Sequence, residues 1–414
     1  MEAGMSVDPA FGLARSRLSR RGFLRAAGGA AGAVALGPVL AACSSNEDTP
    51  PFDGPPAGRV DVANWPLYLD RGRDAQGNEI RPSLLRFTED TGIQVNYREV
   101  IPDAEAFYQQ IQPYLAAGRP TGWDVMVITN GPTLTKLIEL DQLMELPRYA
   151  RPNFDTFASP DVKDPAYDPD SRYTMPWQSG ITGIAYNPAL TGREITSLED
   201  LFSPEFAGRV GMFGDSVDLP NLAMVAAGVD PSTSTPDDWE LTAEMLRTQR
   251  DEGIVKRYYT QNYVNALANG DVAISMAWSG DIFQENAIGA PEGLQFVVPD
   301  EGAVIWTDAM CIPKGALHTV DAITLMDYVY KPEIAAMIAG FVAYVTPVPG
   351  AKDELLRMAD ESENPENADT LRSIAESELV FPTTEQRDAL KTYRELVTDD
   401  ELSLWNQTFG EFFV

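Results

Sequence analysis

The chain has 414 residues and carries 62 Asp and Glu against 31 Lys and Arg, with one histidine, two cysteines and a formal net charge of −31. A field of that sign argues against nucleic acid as a partner and draws in cations, although the solvated acidic surface of a secreted or salt-tolerant protein explains most of the charge by itself. So few histidines and cysteines leave no metal cluster, no Ser/His pair and no disulfide framework to assemble, so neither a metal nor any other cofactor is expected.

At the head of the chain, "SRRGFLR" precedes an Ala/Gly-rich apolar run free of acids that ends in Leu40-Ala41-Ala42-Cys43. This has the form of an export signal over residues 1–42. The paired arginines resemble the twin-arginine type, and the last four residues resemble a lipobox in which Cys43 becomes the acylated first residue. A single transmembrane anchor is the alternative, but the run is short and stops at a small-residue cleavage site. Residues 43–58, rich in Ser, Pro, Gly and acids, form a flexible tether. The body from Arg59 onward is roughly 355 residues, more than one core usually holds, so two lobes are expected.

From Arg59 the pattern alternates: strand "RVDVANW", helix "SLLRFTEDTG", strand "IQVNYREV", helix "DAEAFYQQIQPYLAAG", strand "WDVMVIT", helix "PTLTKLIEL". The second helix places Phe107, Ile111, Tyr114 and Leu115 on one face, with Asp103 as N-cap. A second series follows Pro176: strand "GITGIAYN", a helix opened by a capping box Thr196-x-x-Glu199, and strand "RVGMFG". A helix capped at Thr235 with Pro236 at its first position comes next, then strands "GIVKRYY", "DVAISMAW" and "LQFVVP". "AVIWTDAMCIP" leads into helices over 320–340, and the tail from Asp353 reads mostly helical. Such βαβ alternation predicts an α/β fold of two lobes. The expected division is 59–176 with 307–345 for the first lobe and 177–306 with 346–414 for the second.

Ligands of open α/β sheets sit beyond the carboxyl ends of strands. The unusual side chains fall there: Trp65 after the first strand, Thr129 at the end of the third, Asp215 after "RVGMF", Trp278 after "DVAISMA", and Trp306 with Asp308 at the proposed lobe crossing. Asp215 and Asp218 could simply cap the helix that follows them. Trp65, Tyr68, Trp278, Trp306 and Tyr344, taken singly, could be core. Together, aromatic rings and three carboxylates have the composition an amine site requires, because ring faces attract alkylammonium groups and carboxylates hydrogen-bond to them. Cys311 is expected to be a small core residue and His318 an ordinary surface residue. No nucleophile elbow, phosphate loop or zinc-protease motif occurs. Paired carboxylates leave a glycoside hydrolase as the enzyme alternative.

The motifs "NWPLY", "WDVMVIT", "MPWQSGITGIAYN", "GDSVD", "NGDVAISMAWSG", "IWTDAMCIPKGA" and "AYVTP" resemble, in the same order, those of the spermidine/putrescine-binding proteins of ABC transporters. The resemblance runs from Arg59 to about Pro349. It implies a two-lobe periplasmic-binding fold of the second type, joined by crossing strands, that closes on a polyamine and works with a membrane permease. It implies no enzymatic activity, a monomer, and an exported, lipid-anchored location. By motif, Trp65, Tyr68 and Thr129 would line the site from the first lobe, Thr129 standing where the family has Ser. Asp215 and Asp218 match an Asp-x-x-Glu pair, the second acid one methylene shorter, and Trp278, Trp306, Asp308 and Tyr344 match the remaining contacts. Pro66 replaces a common hydroxyl, Gly131 and Pro132 replace aromatics, the family's late glutamine contact is not placed in this sequence, and the region after Pro349 matches only loosely. The choice among putrescine, spermidine and another cationic metabolite is therefore open.

Overall fold

The computed structural model describes residues 52–74, 76–287, 293–396 and 398–414. The proposed signal, Cys43 and most of the tether lie outside these residues. No helix among the described residues is long and apolar enough to cross a membrane.

The chain forms β1 (Arg59–Asn64), a small ribbon of β2 (Gly72–Arg73) and β3 (Glu79–Ile80), β4 (Gln94–Glu99), β5 (Val125–Thr129), β6 (Thr174–Tyr186), β7 (Val210–Phe213) and β8 (Val255–Tyr259). It continues with β9 (Ile274–Trp278), β10 (Gln295–Val297), β11 (Val304–Cys311) and β12 (Lys391–Thr392). The main sheet has the order β4-β1-β5-β11-β6-β9-β7-β8, with β10 on β6 and β12 on β11. β4, β1 and β5 are mutually parallel, as are β9, β7 and β8. Between these two blocks run β11 and β6, antiparallel to each other over eight residue pairs. The architecture is thus α/β, with two parallel blocks joined by two long strands that belong to both.

Local chemistry explains most boundaries. Asp103 caps its helix by accepting from the Ala106 amide, and Thr235 with Asp238 forms a capping box ahead of Pro236, each relieving amides that the first turn leaves unpaired. Two expectations shift. The helix expected behind Thr196 is a short 3-10 turn, Leu198–Phe202, capped by Ser197. The strand expected from Gly180 begins six residues earlier, at Thr174, because "TMPWQS" pairs with β11 and is buried throughout. Pro176 fits there since its carbonyl still accepts, from the Tyr330 hydroxyl, and the proline needs no amide of its own.

The tail is divided between the two blocks. Helices Ala351–Glu361 and Pro365–Glu376 pack around Gly340 of helix Pro332–Val342, where Leu355 and Leu371 leave no room for a Cβ to be added freely. Helix Asp399–Phe409 instead lies on helix Pro236–Asp251, where Trp405 meets Trp239 edge-on at 5.2 Å. Between them, β12 crosses back to β11.

Candidate functional site

Alternation along a strand decides which side chains of the crossing pair face the same way. Trp306 and Asp308 of β11 stand opposite Gly180 and Gln178 of β6, and Thr182 lies two residues further on. Gly180 is required here: a Cβ would fall 2.2 Å from the Trp306 ring. The indole therefore lies flat across β6, and its Nε1 donates to Thr182 Oγ1 at 3.0 Å.

Asp308 is buried, and Thr129 of β5, its register partner, donates to Oδ1 at 2.5 Å. That hydroxyl is the partner a carboxylate inside an apolar strand demands. Burial still pushes the Asp308 carboxyl up to about 6; the Thr129 bond opposes the rise, and the neighbouring Asp218 charge adds to it.

Asp218 opens helix Asp218–Ala226 at the end of the β7 loop. It accepts three hydrogen bonds, from Thr182 Oγ1, the Trp278 indole at 3.0 Å and the Tyr393 hydroxyl at 2.7 Å. Burial raises its pKa despite those donors. Asp215 accepts from the amides of Val217 and Asp218 at 2.8 and 2.6 Å, so the capping alternative is correct for Asp215 and wrong for Asp218. Loss of hydration, reinforced by the Asp218 charge, pushes Asp215 up to about 7. Among the described residues no Lys, Arg or His forms an ion pair with Asp215, Asp218 or Asp308.

The rings complete the wall. Trp306 and Tyr344 have centroids 5.5 Å apart, and Tyr344 meets Tyr68 edge-on at the same distance. Leu67 and Ala343, each directly before one of these tyrosines, hold left-handed backbone at φ 60° and 54°, a conformation that costs non-glycine residues about 1–3 kcal/mol. Ala343 does so as the C-cap of helix Pro332–Val342, so the turn that ends that helix leads directly into Tyr344. Trp278 is held by Phe213 at 4.7 Å and by the Tyr263 hydroxyl, which accepts from its amide. Trp65 is anchored differently: its Nε1 donates to the Val127 carbonyl of β5, two residues before Thr129.

The crossing strands thus gather Thr129, Asp218, Trp278, Trp306 and Asp308. Tyr68 and Tyr344 stand against them, with Asp215 behind Asp218 and Trp65 at the β5 edge. Sequence reasoning missed Gln178, Thr182, Asp281 and Tyr393. Asp281 accepts from Tyr263 at 2.9 Å and Tyr344 at 3.1 Å, and so fixes two of the rings. The alternation of Gln178, Gly180 and Thr182 on one face of an otherwise apolar strand is a signal that could have exposed two of these; nothing local marks Tyr393.

His318 is not an ordinary surface residue. Its Nδ1 lies 2.8 Å from Asp124 Oδ2, and with Asp61 the three groups fall within 4.8 Å. Those oxygens are already engaged: Asp124 also accepts from the amides of Asp61, Leu317 and His318, and Asp61 from Arg59 and Asn96. The cluster ties strand β1 to the residue before β5 and to the start of helix Thr319–Tyr328. Cys311 is the expected small core residue, buried and donating to the Met126 carbonyl.

The spermidine/putrescine-binding periplasmic protein of Salmonella typhimurium is 28% identical over 319 residues, 77% of this chain and 82% of its own. The putrescine/agmatine-binding protein of Pseudomonas aeruginosa is 30% identical over 275 residues, 62% of this chain and 72% of its own. Among solved structures, the substrate-binding protein of a spermidine/putrescine ABC transporter from Streptococcus pneumoniae superposes with a TM-score of 0.69 at 23% identity, covering 86% of this chain and 98% of that one. The family model for bacterial extracellular solute-binding proteins matches residues 85–369. With that match spanning well over half its length, the chain belongs to the bacterial extracellular solute-binding protein family.

Proposed function

We propose that the protein captures a polyamine between its two lobes and delivers it to an ABC permease, performing no chemistry on it. One observation carries this reading: three carboxylates from two distant segments, the loop and helix start after β7 and strand β11, gather at the crossing strands, ringed by indoles and phenols, and none is ion-paired within the described residues. A cation arriving from outside relieves that arrangement, because each ammonium N–H then meets a carboxylate while the methylenes lie on ring faces. The names of the relatives support polyamines within the cations.

In this reading Asp218 and Asp308 bond to the amines while Asp215, held by backbone amides behind Asp218, adds its charge to neutralise them; Trp65, Tyr68, Trp278, Trp306 and Tyr344 enclose the chain, with Thr129 holding Asp308 in place. From Gln178 to Thr182 the binding face extends four residues along β6, about 13 Å at strand spacing, which suits a slender guest with charges at its ends. The lobes divide within β6 and β11, residues 59–176 with 307–345 against 177–306, and the tail contributes to both. Export through a twin-arginine signal and anchoring through lipid on Cys43 keep the receptor beside its permease as a monomer.

Calorimetric titration with putrescine and spermidine, with choline and a neutral sugar as controls, tests the assignment. Binding of the two polyamines only, lost in Asp308→Asn, is the expected result. Equal heats from the sugar, or none from either polyamine, would overturn it.

A further inference from the structure

Thr129, Asp308 and Gln178 form one row across β5, β11 and β6. The Thr129–Asp308 bond shows that these two side chains share a face. Thr307 and Ser179, one residue along each crossing strand, bond to each other on the opposite face. Gln178 therefore stands on the Asp308 side. It is 3% exposed, yet its Oε1 is buried without a hydrogen-bond partner. The Tyr68 hydroxyl, on a residue 5% exposed, is buried against Asp308 and interacts with its carboxylate.

A buried acceptor left empty costs about 1–3 kcal/mol, and folded proteins rarely keep one without a use for it. Beside the Asp308 carboxylate, then, stand the Gln178 amide oxygen and a phenol oxygen that can still accept while its own proton points at Asp308. The other end of the site differs, since Asp218 already accepts from three side-chain donors and has fewer open positions for an ammonium. A primary ammonium carries three N–H groups, a secondary one two.

We propose that Gln178 is a specificity-determining residue that selects a primary, three-proton ammonium at the Asp308 end of the ligand. This rests on the polyamine reading above. The alkyl chain then runs over the Trp306 ring towards Asp218, and an N-alkylated terminus is rejected at Asp308 because it leaves Gln178 Oε1 or the Tyr68 oxygen without a donor.

The test is calorimetric titration of the full chain with putrescine and with N,N′-dimethylputrescine, which lacks one N–H at each end. The wild-type chain should prefer putrescine about tenfold, the size of one hydrogen bond to a charged group. Gln178→Met, of similar length but without an acceptor, should weaken putrescine about tenfold and bind both diamines within twofold. Gln178→Glu restores an acceptor at the same place and should hold putrescine at least as tightly as wild type; it also keeps the test decisive if the methionine variant fails to fold. A tenfold preference that survives in Gln178→Met, or a loss of putrescine in Gln178→Glu as large as a packing defect would give, overturns the role of Gln178. Failure of the wild-type chain to bind putrescine at all overturns the polyamine reading instead.

Discussion

Two buried aspartates, Asp168 and Asp218, solve the same problem in opposite ways. Asp168 sits in the turn before β6 and accepts from three consecutive backbone amides, Arg172, Tyr173 and Thr174, and from the Thr174 hydroxyl. Asp218 accepts only from side chains, supplied by β6, β9 and the tail. Backbone donors are fixed by the turn they define, so removing the acid leaves amides that nothing else can satisfy. Side-chain donors can turn away and let a cation in. Asp327, which accepts from the amides of Asn153 and Phe154, and Asp321, which accepts from those of Ala57, Gly58 and Arg59, belong with Asp168. Asp308, served by a threonine hydroxyl, belongs with Asp218. Burial by itself does not separate a carboxylate locked by its own turn from one held by side chains; the origin of the donors does, and Asp215, which accepts from two backbone amides, stands with Asp168.

The largest effect should come from removing both acids of the second kind. The double variant Asp218→Asn with Asp308→Asn is expected to weaken putrescine by a thousandfold or more, about two charged hydrogen bonds, with its thermal midpoint unchanged or raised; calorimetry and a melting curve read the two quantities. Asp168→Ala should invert that result. It is expected to lose about 3 kcal/mol or more of stability in a denaturant titration, while the folded fraction retains wild-type affinity. If Asp168→Ala abolished binding in a folded chain, the distinction between the two kinds of acid would fail.

The pH dependence sharpens the comparison. Asp215 at about 7 and Asp308 at about 6 both stand above their ordinary 3.8, so the native state holds protons that the unfolded chain has released. Their contribution to stability is therefore neutral below about pH 4, becomes unfavourable as pH rises through the window to about 7, and stays so above it. The ligand-free melting temperature should fall from pH 5 to pH 8. Added putrescine should recover it, with a shift that grows over the same interval because ammonium groups bind the ionised acids. A putrescine shift that is flat with pH would detach these carboxylates from binding. The smallest effect is expected for Tyr393→Phe, which removes one of three donors to Asp218: about 1 kcal/mol of stability at most, with affinity altered less than tenfold.

Much of this could be read from residue order. Alternating strands and helices, the Asp103 cap and the Thr235-Pro236 start follow from local propensity, and local propensity survives in the fold because nothing contradicts it. Trp306 and Asp308 were exposed by their own spacing, a ring and an acid on one face of an apolar strand. Ser197 rather than Thr196 is the cap, in a turn that Glu301 holds from about a hundred residues away by accepting from the Ser197 hydroxyl and the Leu198 amide. The role of His318 was hidden for a different reason: Asp124 lies 194 residues away, and no local pattern announces a partner at that distance.

By itself the sequence determined the α/β class, the acid-rich surface, the aromatic and acidic residues at strand ends, and Asp308 as an acid in need of a partner. These are properties of neighbours along the chain. Only the tertiary structure decided that Asp215 caps while Asp218 faces the crossing, that Gln178 stands beside Asp308, and that Tyr393 returns from the tail to the site. Each of those depends on strand register and on contacts between distant segments, and a register change of one residue would turn every one of the β6 and β11 side chains to the other face.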